Sequence, residues 1–167
     1  MEDKIKILFD SYHLYHLPQF EPLIDLLKDD GRFDIFHSTS NEIPKQEFEL
    51  CLSILKKKPG IFITAKSEGE RQNKIRNLNL DFFICGWSRY DIDKYVTSKT
   101  IVGMIYHGIG IKPSYWLDNH PRLDIRFVEG EYRVQQLKQN GVETRLALTG
   151  FMKLDPIFQK NKIDTYA

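Results

Sequence analysis

Two cysteines, Cys51 and Cys85, are all that this chain of 167 residues carries, which leaves little room for a disulfide framework. Both fall in apolar patterns without metal-ligand spacing, so they read as buried, reduced thiols of an intracellular protein. An excess of charge is missing as well: 24 Lys and Arg face 23 Asp and Glu, for a net charge of +1. That balance argues against a dedicated nucleic-acid surface, which carries a basic surplus. No apolar run approaches the ~18 residues of a membrane span, and Met1 to Lys4 leads into a short strand rather than a signal peptide. The expectation is a cytoplasmic protein. Three fingerprints are also absent: Gly-x-Gly-x-x-Gly after the first strand, a Walker A loop, and a Gly-x-Ser-x-Gly elbow. Their absence sets aside nicotinamide dehydrogenases, P-loop NTPases and α/β-hydrolases.

What is present is an ordinary globular balance, with 41% hydrophobic and 28% charged residues, enough for one sizeable core. Strand-like apolar runs recur at 5–9, 33–36, 61–64, 82–85, 101–106, 125–128 and 144–148. Most are short and rich in β-branched or aromatic residues, as parallel strands buried on both faces must be. Between them, Phe20, Leu23, Ile24 and Leu27 keep helical spacing, as do Phe48, Cys51, Leu52 and Leu55. Ser67 with Glu70, and Ser88 with Asp91, have the spacing of capping boxes. Val134 and Leu137 belong to a helix that stops at Asn140-Gly141. This alternation predicts an α/β fold, a doubly wound, mainly parallel sheet of about six or seven strands. One Rossmann-like domain is expected over 1–158, with 159–167 a tail or the start of a linker.

In such a sheet, ligands bind at the carboxyl edge. The strand ends deliver His13, Trp87, His107 and Gly150 to that rim. The richest exit is Tyr106-His107-Gly108-Ile109-Gly110-Ile111-Lys112, which brings an imidazole, two glycines and a cation to one point. A neutral histidine accepts protons near pH 7, so His107 is the candidate catalytic base. Lys112 offers charge for an anion. His13 and His16 lack carboxylate or cysteine company at ligand spacing, so neither a metal nor another cofactor is expected.

The same segment resembles the Trp-His-Gly-Thr-Pro-x-Lys motif of the CDP-glycerol glycerophosphotransferases, the polymerases and primases of teichoic acid synthesis. Thr149 to Asp155, followed by Pro156-Ile157-Phe158, is similar to that family's Gly-x-Pro-Arg-x-Asp segment, and the likeness runs over roughly residues 80–158. The chain departs from the pattern at Tyr106 for tryptophan, Ile109-Gly110 for Thr-Pro, Glu129-Gly130 for a serine, and Met152-Lys153 for Pro-Arg.

The resemblance implies the GT-B arrangement, in which two Rossmann-like domains face each other across a cleft. This chain would be the N-terminal, acceptor-side half, and a second domain would bind the cytidine nucleotide. His107 would deprotonate the acceptor hydroxyl for attack on the β-phosphate of a CDP-activated polyol donor, releasing CMP. Gly108, Gly110 and Lys112 would offset charge there, with His13, Trp87, Gly150 and Asp155 lining the substrate. The implied acceptor is a polyol phosphate or a glycan, at the inner face of the cell membrane. Two alternatives stand beside this one: the acceptor domain of a GT-B glycosyltransferase or nucleotide-sugar epimerase, and a non-catalytic Rossmann-like binding domain.

Overall fold

Short runs of Ile, Phe and Val leave no polar face to turn toward water, so they pair side by side and take helices on both sides. The computed structural model describes residues 3–88 and 90–158; the expected tail at 159–167 lies outside them. Its strands are β1 (Ile5–Asp10), β2 (Phe33–Ser38), β3 (Ile61–Phe62), β4 (Phe82–Cys85), β5 (Ile101–Ile105), β6 (Ile125–Val128) and β7 (Arg145–Leu148). All pair in parallel, in the order β3-β2-β1-β4-β5-β6-β7. The helices are α1 (Leu17–Leu27), α2 (Lys45–Leu55), α3 (Glu68–Asn77), α4 (Ser114–Leu117), α5 (Glu131–Gln139) and α6 (Asp155–Phe158).

Right-handed crossovers explain the layers. As the chain steps outward from β1 to β3, α1 and α2 fall on one face. The return to β4 puts α3 and later α5 on the other. Phe9, Phe20, Ile24, Cys51 and Leu55 form the core of the first face. Ile75, Phe83, Val102, Val128 and Leu137 form that of the second. Cys51 and Cys85 are free thiols inside these cores, and burial pushes the pKa of each up.

Local signals match their elements with two exceptions. Ser67 caps α3 by accepting the Glu70 N–H at 3.2 Å, and the Glu70 carboxylate reaches back to the Lys66 N–H at 2.8 Å. Gly141, at φ 72°, ends the α5 segment, and the Val142 N–H closes onto the Leu137 carbonyl at 3.0 Å. The first exception is β3, which is shorter than its apolar run. Past Phe62 the carbonyls of Thr64 and Ala65 accept from the side chains of Lys74 and Asn41, which takes them out of the ladder. The second is Ser88-Asp91, which caps nothing: the Ser88 hydroxyl is bound by Asp118, and Asp91 makes no capping bond to the single 3-10 turn Ile92–Lys94.

The order reverses between β1 and β4, and there the chain buries charge. Asp10 and Arg71 are fully buried, with Arg71 Nη1 donating to Asp10 Oδ1 at 2.6 Å. Asp10 also accepts from the Ser38 hydroxyl at 2.6 Å and the Tyr90 hydroxyl at 2.7 Å. Arg71 Nε donates to Glu68 at 2.8 Å. Breaking such a pair strands the surviving charge in the core. Arg71→Ala is expected to destabilise the domain by about 3–5 kcal/mol, read from the midpoint of urea unfolding; a loss under ~1 kcal/mol would contradict this assignment.

A candidate active cleft at the ends of β4 and β5

Strand β4 leaves the sheet through Gly86, and the glycine is required by what lies above it. A Cβ at this position would come 2.7 Å from Cγ of His16, whose ring is fully buried in the 3-10 turn Leu14–His16 after β1. Strand β5 leaves next door through Tyr106 and His107. The two exits are tied by one hydrogen bond, His107 Nδ1 to the Gly86 carbonyl at 3.0 Å. The main chain of His107 is held as well, by Gln19 of α1, whose Nε2 donates to the His107 carbonyl at 3.1 Å.

That bond determines the tautomer. A carbonyl only accepts, so Nδ1 carries the proton and the lone pair of neutral His107 resides on Nε2. Nε2 lies 3.1 Å from the Tyr115 hydroxyl, which therefore donates to it. Tyr115 reaches the imidazole because α4 folds back over the glycine loop. Its ring lies where a Cβ on Gly110 would sit, 2.2 Å away, and its hydroxyl would be 3.2 Å from a Cβ on Gly108. Arg133 of α5 clamps the arrangement: Nη2 donates to the Gly110 carbonyl at 2.7 Å, and the guanidinium lies 5.5 Å from the centre of the Tyr115 ring.

These groups surround a cleft of about 180 Å³, lined by Tyr15, Gly86, Trp87, Ser88, Met104, Tyr106, His107, Lys112, Ser114, Tyr115 and Asp118. Of the residues expected at the site, His107, Trp87 and Lys112 stand in its wall. Gly108 and Gly110 lie against Tyr115 and shape the wall without lining it. Three others do not join them. His13 packs edge-on against Trp87 at 5.3 Å, but its Nδ1 turns to Glu47 at 3.0 Å. Gly150, at φ 80°, follows β7 at the far edge of the sheet, and Asp155 opens the exposed helix α6. The single cleft expected to include all of these residues is therefore narrower, confined to the exits of β4 and β5. Tyr115, Asp118 and Arg133 escape a reading of the sequence, because their places depend on how α4 and α5 return to the rim. Gly110 is the one local trace of Tyr115.

Chemically, the cleft offers an oriented imidazole, a phenol hydrogen-bonded to it, a lysine and a carboxylate. The histidine beneath serves differently. Burial lowers the pKa of His16 to about 3, with further contributions from His107 and His13. Its ring centre is 5.2 Å from that of His107, so it stays neutral beside the candidate base. Among the described residues, no group of three or more His, Cys, Asp or Glu side chains could hold a metal ion. No helix among them is long and apolar enough to cross a membrane.

The fold is that of a Rossmann-like α/β domain, with the cleft at the carboxyl edge of its parallel sheet. No family model matches the chain, and no curated protein sequence does. Among solved structures it is similar to a Listeria monocytogenes protein assigned as a UDP-N-acetylglucosamine 2-epimerase, with TM-score 0.59 and 16% identity over 96% of this chain. The chain spans 50% of the length of that protein. A weaker likeness is to a malate dehydrogenase from Naegleria fowleri, with TM-score 0.39 and 8% identity over 63% of this chain and 39% of the other.

His16 also makes stability depend on pH. Its folded pKa of about 3 lies below the unfolded value of 6.5, so the unfolded chain binds the extra proton between the two. The stabilisation is complete above pH 6.5 and is lost as pH falls toward 3. Urea unfolding at pH 7 and pH 4.5 is expected to differ by roughly 2–3 kcal/mol from this residue, and His16→Asn should remove that increment. An unchanged difference in the variant would refute it.

Proposed function

We propose that the chain is the acceptor-side half of a GT-B-type enzyme acting on a nucleotide-activated sugar, with His107 as the general base. The observation that supports this reading is the pair of hydrogen bonds on His107 in the cleft wall, Nδ1 donating to the Gly86 carbonyl and Nε2 accepting from the Tyr115 hydroxyl. In the transfer step the acceptor hydroxyl gives its proton to the Tyr115 oxygen while Tyr115 passes its own to His107 Nε2. The acceptor oxygen forms its bond to the activated carbon, and the nucleoside diphosphate leaves with the bonding electrons. Lys112 offsets the developing negative charge, while Gly108 and Gly110 leave room for the Tyr115 ring.

A second reading, transfer of glycerol phosphate from a CDP-activated donor with release of CMP, draws support from the run Tyr106 to Lys112 and the segment Thr149 to Asp155. Proton removal by His107 is common to both, with phosphorus replacing carbon as the centre attacked.

Nucleotide release from UDP-sugars and from CDP-glycerol, measured with the protein that carries this domain, separates the two readings. His107→Ala is expected to lower turnover at least ~100-fold with little change in donor affinity. Full turnover in that variant would end both readings.

A further inference from the structure

Three arginines among the described residues are buried: Arg71, Arg126 and Arg133. Two are fully matched. Arg71 donates from Nε, Nη1 and Nη2 to Glu68, Asp10 and Ser38. Arg133 does so to Glu129, Gln136 and the Gly110 carbonyl. Arg126, on β6, differs. It has no exposed surface, and its Nε and Nη2 have no partner among the described residues. Its one hydrogen bond runs from Nη1 to the Tyr106 hydroxyl at 3.1 Å. A guanidinium is always charged, and without a carboxylate beside it this one is costly to bury.

The place of Arg126 indicates what it awaits. Its register partner on β5 is Met104, and both Met104 and Tyr106 line the cleft, so the guanidinium lies one hydrogen bond behind the cleft wall. Since the Tyr106 oxygen accepts from Arg126, the phenol proton remains to be donated, and it has no acceptor among the described residues. Lys112 adds a second cation to the same cleft. The one carboxylate in its wall, Asp118, is engaged by the Ser88 hydroxyl.

We infer that this side of the cleft is an oxyanion subsite, in which a phosphate group of the ligand accepts the Tyr106 hydroxyl proton and supplies Arg126 with its missing countercharge, with Lys112 at the rim. A phosphate suits it better than a carboxylate, since Lys112 stands in the wall and Arg126 lies behind it through Tyr106, and a dianion offsets both. Asp118 repels a bare anion at its own end and accepts from hydroxyls, so the ligand that fits carries hydroxyl groups beside its phosphate. The subsite takes its cleft from the reading above but does not depend on proton transfer by His107.

Titration of the 167-residue chain with inorganic phosphate, glycerol 3-phosphate, glycerol and UDP, followed by calorimetry and thermal unfolding, tests this. Phosphate-bearing ligands are expected to bind and glycerol is not. Near a hundredfold excess over the dissociation constant, the melting temperature should rise by about 5 °C or more. Arg126→Met should abolish the phosphate response while melting no lower than the parent chain without ligand, because it removes an unpaired buried charge. Tyr106→Phe, which keeps the ring, should weaken phosphate binding about tenfold. Turnover is read on the His107→Ala variant and phosphate binding on the Arg126→Met variant, so failure of the one reading and failure of the other are separate results. Tighter binding of glycerol 3-phosphate than of UDP assigns the anion to the acceptor, and the reverse assigns it to the donor; either upholds the subsite. No binding of any phosphate by the parent chain, or undiminished binding by both variants, overturns it.

Discussion

The Asp10–Arg71 pair holds the sheet together at its point of reversal. Asp10 ends β1, Ser38 ends β2, Arg71 comes from α3 and Tyr90 follows β4, so one carboxylate joins four segments at a single point. Its reach extends into the cleft. Tyr90 stacks on Tyr12 at 5.1 Å, and Tyr12 packs on Trp87 at 5.3 Å. Through these rings the buried pair sets the path of the loop that carries Gly86, and with it the carbonyl that orients His107. Preorganisation of the cleft therefore begins in the core.

The cleft is built on contrasts between neighbours of the same type. His16 and His107 are close in space, yet one is sealed and held neutral by burial, and the other lines the cleft with its lone pair engaged by the Tyr115 hydroxyl. Arg133 and Arg126 flank Tyr106, one matched on every nitrogen and the other on a single one. Identical side chains thus divide into structural and chemical groups by their hydrogen-bond partners. Fold-level likeness cannot supply that distinction, since a Rossmann-like sheet hosts many chemistries.

All seven strands can be read from the chain, because a parallel strand covered on both faces is apolar along most of its length, and a run such as Phe82–Cys85 has few other uses. The short span of β3 cannot, since it depends on Lys74 and Asn41 claiming carbonyls from a distance. In the site, His107 is legible because it stands just past the end of β5, and Lys112 because it closes the glycine loop that follows. Tyr115 and Arg133 are not, as each acts across a fold-back that local pattern does not encode. Arg126 is hidden most completely: within Ile-Arg-Phe-Val it looks like the polar member of an alternating strand, and only the packing of the second face shows that no water reaches it.

The bond that orients His107 is made to a main-chain carbonyl, and this has an evolutionary consequence. Every residue type offers that same acceptor, so substitution of side chains around the rim cannot delete it; only a change in the path of the backbone can. The constraint on position 86 comes from elsewhere, from the His16 ring pressed against its missing Cβ. Side chains of the surrounding wall are thereby free to diverge and change what the cleft admits, while the direction of the imidazole is inherited with the course of the chain.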